Sequence, residues 1–226
     1  MWLFKKDKSR QQQNREPRVR LLPGEAIYFE DSTQKYKVEN ISESGLAFAK
    51  TTLQVGQRIS GSLHIAKEAI SLELEVMRAG ETTTGLRIRN GEKLLRGALR
   101  RVFTDEYQAM GMSAVSSELL QAEAAGIPHW FYAPGNYELY LVEKDNKVVK
   151  AHVSWKDRIV AASSGEGIKT GFLQQEDREV PAHAKSALVN WLPAVDEQDK
   201  QKALRIVENI GGLSAQLKAE LKKLFG

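Results

Sequence analysis

Two groups of side chains in this sequence of 226 residues are of types that can hold an anionic ligand. The first is a set of arginines, Arg15, Arg18 and Arg20, in the run Asn14-Arg15-Glu16-Pro17-Arg18-Val19-Arg20. The second is Asn40, Ser42 and Gly45, in Asn40-Ile41-Ser42-Glu43-Ser44-Gly45. The planar guanidinium of arginine presents a fork of donors that matches phosphate oxygens. It also matches the Hoogsteen edge of guanine, where two acceptors lie side by side. Asparagine and serine add short donors and acceptors, and glycine lets a ligand or a crossing backbone come close.

Such residues act together only if the fold brings them together. Short β-branched and aromatic runs recur at about 25–30, 35–40, 45–50, 57–65, 69–78 and 84–89. Turn formers such as Asp31-Ser32, Gly56, Gly80 and Asn90-Gly91 separate them. Ser71-Leu72-Glu73-Leu74-Glu75-Val76 alternates with period two, as a half-buried strand does. Closely spaced strands with no helix between them predict a small antiparallel barrel. Asn40, Ser42 and Gly45 then fall where the second strand gives way to the third. Arginines near a barrel mouth can be merely solvated, and Asn or Ser at strand ends can bond their own turn. Family-like spacing is what favours a ligand.

At these residues the chain resembles the PilZ family, bacterial receptors for cyclic di-GMP. The family carries an arginine motif RxxxR and then D/N-x-S-x-x-G. The second motif is complete in Asn40, Ser42 and Gly45. In the first, Arg18 aligns with the second arginine, and Asn14 stands where the other would be. Arg15 gives the spacing RxxR instead, and Arg10, Arg15 and Arg20 are all candidates to fill the gap. Similarity continues through Glu75-Val76-Met77-Arg78 and Gly85-Leu86-Arg87-Ile88, over roughly residues 15 to 110. The resemblance implies a six-stranded barrel. It also implies cyclic di-GMP as ligand, with arginines on phosphates and guanines, Asn40 and Ser42 on a base, and Gly45 permitting close approach. Bacterial second-messenger signalling, with motility and biofilm formation as outputs, is the implied setting.

The net charge of +4 is concentrated at the N-terminus. Lys5, Lys6, Lys8, Arg10, Arg15, Arg18 and Arg20 there face only Asp7 and Glu16. Residues 1–17, with Gln11-Gln12-Gln13 and no apolar period, read as a mobile arm that orders on a ligand. Aromatics are not interleaved with its charges, which argues against nucleic acid. There is no cysteine, no run of about 18 apolar residues and no signal-peptide pattern, so a cytoplasmic protein is expected.

Beyond the barrel, Glu92 to about Met110 repeats apolar residues every three or four positions and predicts one helix; a second is expected over 114–125. Strands follow at Glu138–Glu143, Lys147–Trp155, Arg158–Ser163 and Ile168–Gln174, the first two joined by a turn at Lys144-Asp145-Asn146. Helices are expected through Ala184, Leu188, Trp191 and Val195, over Gln198–Ile210, and along Leu213, Leu217, Leu221 and Leu224.

Nothing here composes an active site. Ser164-Gly165-Glu166-Gly167-Ile168-Lys169-Thr170 lacks the adjacent Gly-Lys of a phosphate loop. His64, His129, His152 and His183 have no metal-ligand spacing, so no metal or cofactor is expected. The expectation is an α+β protein in three parts: a basic arm over 1–17, a PilZ-like six-stranded antiparallel barrel with its helix over 18–111, and a second α+β module over 112–226. Its role would be a non-enzymatic cyclic di-GMP receptor with output to a protein partner through that module. The alternative is an interaction adaptor that has lost the nucleotide, which the asparagine at position 14 favours.

Overall fold

The computed structural model describes residues 17–22, 27–121, 123, 125–174 and 189–226. Most of the expected arm, Arg15 and His183, and the start of the helix through Ala184 and Leu188 lie outside the described residues. The chain forms two compact units, dividing between Val102 and Phe103.

The first unit is a closed antiparallel barrel. Its strands are β2 (Tyr28–Glu30), β3 (Lys35–Ile41), β4 (Gly45–Ala49), β5 (Arg58–Ile65), β6 (Glu68–Ala79) and β7 (Thr83–Asn90). They run in the order β3-β2-β5-β6-β7-β4, and β4 pairs back onto β3 to close the ring. All six match runs legible in the sequence. The extra strand β1 (Val19–Arg20) pairs with β3. Alternate residues fill the interior, as Leu72, Leu74 and Val76 do on β6 while Glu73 and Glu75 point out. Phe29, Tyr36 and Phe48 form its aromatic centre, with Tyr36 and Phe48 stacked at 5.0 Å. Helix α1 (Glu92–Val102) buries Leu95, Ala98 and Leu99 and packs against β6.

The single helix expected from Glu92 to Met110 is two. Phe103 leaves helical geometry (φ −114°, ψ 27°), and its ring is fully buried beneath the Arg205 guanidinium. Helix α2 (Thr104–Met110) then starts a new path in the second unit. Burial of one aromatic outweighs the continuity of the helical pattern.

In the second unit seven strands form an antiparallel meander. These are β8 (Ser113–Ala114), β9 (Ile127–Ala133), β10 (Tyr137–Lys144), β11 (Lys147–Trp155), β12 (Arg158–Ser163), β13 (Gly167–Leu173) and β14 (Val189–Trp191), each beside the next. Asp145 (φ 51°) and Asn146 (φ 62°) make the β10–β11 turn left-handed at both central positions, as a two-residue hairpin requires. One face, with Leu139, Leu141, Ala151, Val153 and Val160, forms a core with Ala203, Ile206 and Val207 of α3 (Glu197–Asn209) and Leu221 and Phe225 of α4 (Ala215–Phe225). Asp196 and Ser214 cap the two helices.

Among the described residues the helix expected over 114–125 is not formed, and the described end of the one expected through Trp191 is not helical. Over 114–125, Ala114 pairs with Phe131 and the Val115 N–H donates to Trp130, so sheet extension overrides helical propensity, leaving one 3-10 turn at Ser117–Leu119. Trp191 lies on β14, where it pairs with Gly171.

A knot of charges fixes α2 within this unit. Asp105 accepts from Tyr137 at 2.6 Å and meets Lys156 at 2.9 Å and Lys202 at 2.8 Å. Burial pushes its carboxyl up, but hydrogen bonds from Lys202, Tyr137 and Lys156 outweigh this and hold it at about 2. Glu106, fully buried, meets Lys202 at 3.0 Å and Arg205.

Candidate functional site

Strand β1 is short because a single side chain docks it. Val19 is 0% exposed and pairs with Ile41, also fully buried. Its neighbours Arg18 and Arg20 are exposed. Arg20 pairs in register with Asn40, and one further step of the same register would set Arg18 opposite Ser42. The two motifs, twenty residues apart in sequence, thus meet across one strand pair. Arg15 lies outside the described residues.

Asn40 is half-buried, yet its Oδ1 is wholly buried and has no hydrogen-bond partner. An unpaired buried acceptor costs about 1–3 kcal/mol, which is recovered if the side chain turns to meet a donor. Ser42 is buried, and both its N–H (2.8 Å) and its hydroxyl (3.2 Å) donate to the Gly45 carbonyl. Its hydroxyl oxygen keeps lone pairs but spends its proton on the turn. Gly45 is required by a crossing backbone. A Cβ there would stand 2.5 Å from the Leu86 carbonyl oxygen on β7, and Ile88 N–H also bonds Ser44 at 3.0 Å. The structure therefore brings Arg20 and Asn40 together, aligns Arg18 with them, and gives Ser42 and Gly45 the work of holding the turn.

Between them Glu43 carries a contact absent from the sequence reading. Its carboxylate meets Arg96 at 2.7 Å and Arg100 at 3.5 Å, both on α1. The single negative charge on the turn is thereby offset by α1. Val19 was equally missed as a positioning residue, although the alternation Arg18-Val19-Arg20 is a strand signal in itself.

Elsewhere the histidines that are described each face one glutamate: His64 with Glu30 at 3.5 Å, His129 with Glu143 at 3.0 Å, and His152 with Glu138 at 3.3 Å. Among the described residues no three His, Cys, Asp or Glu side chains converge as metal ligands. No helix among them is long and apolar enough to cross a membrane.

A closed six-stranded antiparallel barrel is the fold that the resemblance implied. Residues 12–104 match the family model of the PilZ domain. The PilZ domain belongs to a family of cyclic di-GMP receptors and adaptors whose members are generally not enzymes. The match ends at residue 104 and does not extend into the C-terminal half. No curated protein matches the chain. The crystal structure of an uncharacterized Legionella protein is similar over 40% of this chain and 97% of its own, with 18% identity and a TM-score of 0.35.

Proposed function

We propose that this protein is a non-enzymatic receptor for cyclic di-GMP, which binds at β1 and the β3–β4 turn of the PilZ domain and acts through the second unit. The observation that carries the reading is the buried, unpartnered Asn40 Oδ1 beside Arg20. Guanine offers ring and exocyclic N–H donors for that oxygen. Its O6 and N7, or the ligand's phosphates, offer acceptors to Arg18 and Arg20. A ligand with two guanines and two phosphates meets both needs at once. Calorimetric titration of the full chain with cyclic di-GMP tests this, with GTP and cyclic AMP as comparisons. Selective heat is expected; no detectable heat at high micromolar ligand would refute it.

A second reading rests on Asn14, which stands where the family motif has its first arginine. One guanidinium fewer removes one charge-assisted contact. On that reading the domain is an adaptor without nucleotide, and the same titration separates the two.

A further inference from the structure

On the sheet face of the second unit turned away from α3 and α4, the described residues line a hollow of about 700 Å³. Cross-strand register builds it. Trp130, Tyr140, His152 and Ala161 form one row across β9 to β12, and Ser154, Ile159, Gly171 and Trp191 form the next across β11 to β14. Aromatic rings therefore stand at both ends, with Ala161, Ser154, Ile159 and Gly171 between them. The Trp191 ring leans across Gly171, where a Cβ would come within 3.0 Å of its Cε3.

The rings are held in advance. Tyr140 and His152 stack at 5.5 Å with 21° between their planes. Tyr140 donates its hydroxyl to Glu123, and His152 Nε2 lies 3.3 Å from Glu138, whose side chain is only 5% exposed. A platform fixed by its polar edges loses little entropy when a ring is laid on it. Large apolar surface remains uncovered at the rim, where Trp191 is 43% and Leu119 77% exposed. Lys150, the lysine on the lining, already lies 3.8 Å from the Glu123 carboxylate, so the hollow does not present it as a lone cation.

We propose that this hollow is a second binding site, for a flat, uncharged heteroaromatic small molecule of two or three fused rings. Its volume lies within the roughly 300–1,000 Å³ of drug-sized ligand sites. Stacked aromatic walls favour a planar π-face over a saturated ring of equal area. Gln121 and Ser154, which also line it, supply polar groups to a ring heteroatom.

The probe is acridine at mildly alkaline pH, where it is neutral, titrated into the full-length protein and followed by its own fluorescence. Cyclohexylmethanol serves as the saturated comparison and naphthalenesulfonate as the charged one, each read by competition. Saturable one-to-one binding of acridine is expected, with both comparisons much weaker. Trp191→Ala, a change at an exposed rim, is expected to weaken it about tenfold. Ala161→Phe, which fills the floor, is expected to weaken it further while the thermal transition is kept. If Ala161→Phe fails to fold, Trp191→Ala alone decides. Absence of saturable acridine binding, equal affinity for either comparison, or affinity unchanged in the folded variants would overturn the proposal.

Discussion

Replacing Val19 by Ala should weaken ligand binding through a residue that cannot reach the ligand. Val19 is wholly buried against Ile41, and β1 is otherwise held by its short ladder with β3 and by the Leu21 N–H bond to Glu39 at 3.2 Å. Two carbons are lost from the buried side chain, which at about 0.8 kcal/mol each removes about 1.6 kcal/mol of docking free energy. The ratio of detached to docked β1 then rises roughly fifteenfold. Detachment is local, because the six barrel strands close without β1. Hydrogen exchange at the Leu21 amide should accelerate by about the same factor, while exchange in β5 and β6 stays as it was. Affinity for cyclic di-GMP should fall in proportion to the lost docked fraction, since Arg18 and Arg20 are aligned only when β1 is paired. Unchanged exchange at Leu21, with a fall in global stability, would show that Val19 belongs to the cooperative core and refute the local-docking account. That outcome is independent of whether the nucleotide binds.

Arg18→Ala and Arg20→Ala should each cost about 2 kcal/mol of cyclic di-GMP binding, roughly thirtyfold by calorimetry, and Asn14→Arg should tighten it. Gly45→Ala should lower stability in denaturant unfolding by about 2 kcal/mol, because its Cβ would stand 2.5 Å from a backbone oxygen of β7 that cannot swing aside. Asp105 titrates at about 2 in the folded protein, against 3.8 for the free group. Its folded value is depressed, so its stabilisation of about 2 kcal/mol is complete above pH 4 and lost as pH falls toward 2. The acid unfolding curve of Asp105→Asn should therefore be flatter than the parent's in that window. A chain truncated after Val102 should keep the circular dichroism of the barrel, and failure to fold would show that the two units share a core.

The barrel was legible because its strands alternate or carry β-branched runs between strong turn formers, and because register follows once alternation does. Ser71 to Val76 is the clearest case: every second residue is buried as the pattern demands. The second unit was legible only in part. Its middle strands β10 to β13 are legible from the alternation of β11 and the turn residues between the strands, but β9 is not, since Pro128 and the aromatic run Trp130-Phe131-Tyr132 present no polar face. Helix expectations failed at Ala114 and Trp191 for one reason. Local propensity was favourable, but a neighbouring strand edge offered backbone partners that propensity cannot register. Arg18, Asn40, Ser42 and Gly45 could be named from spacing, whereas the division of labour among them could not. That Asn40 Oδ1 is left unpaired while Ser42 is spent on its turn depends on three-dimensional burial.

Chain connectivity also ties the candidate site to helix α1 and the residues beyond it. Glu43 is adjacent to Ser42, and its carboxylate anchors α1 through Arg96 and Arg100. Helix α1 ends at Val102, and Phe103 is the one residue before α2, whose Asp105 and Glu106 are bound to β10, the β11–β12 turn and α3. On the proposed function, a nucleotide that engages Asn40 acts on a turn whose contacts include the anchor of that helix as well as the backbone of β7. If binding shifts Glu43, the change is felt first in surface ion pairs worth about 1 kcal/mol or less apiece, not in the packed barrel. Weak anchors make the helix responsive, and they also bound the effect. The coupling between nucleotide and second unit can be no larger than the nucleotide's differential affinity for the two arrangements of α1. A few such ion pairs set a scale that a ligand with two phosphates can match, whereas the buried core beneath α1 does not.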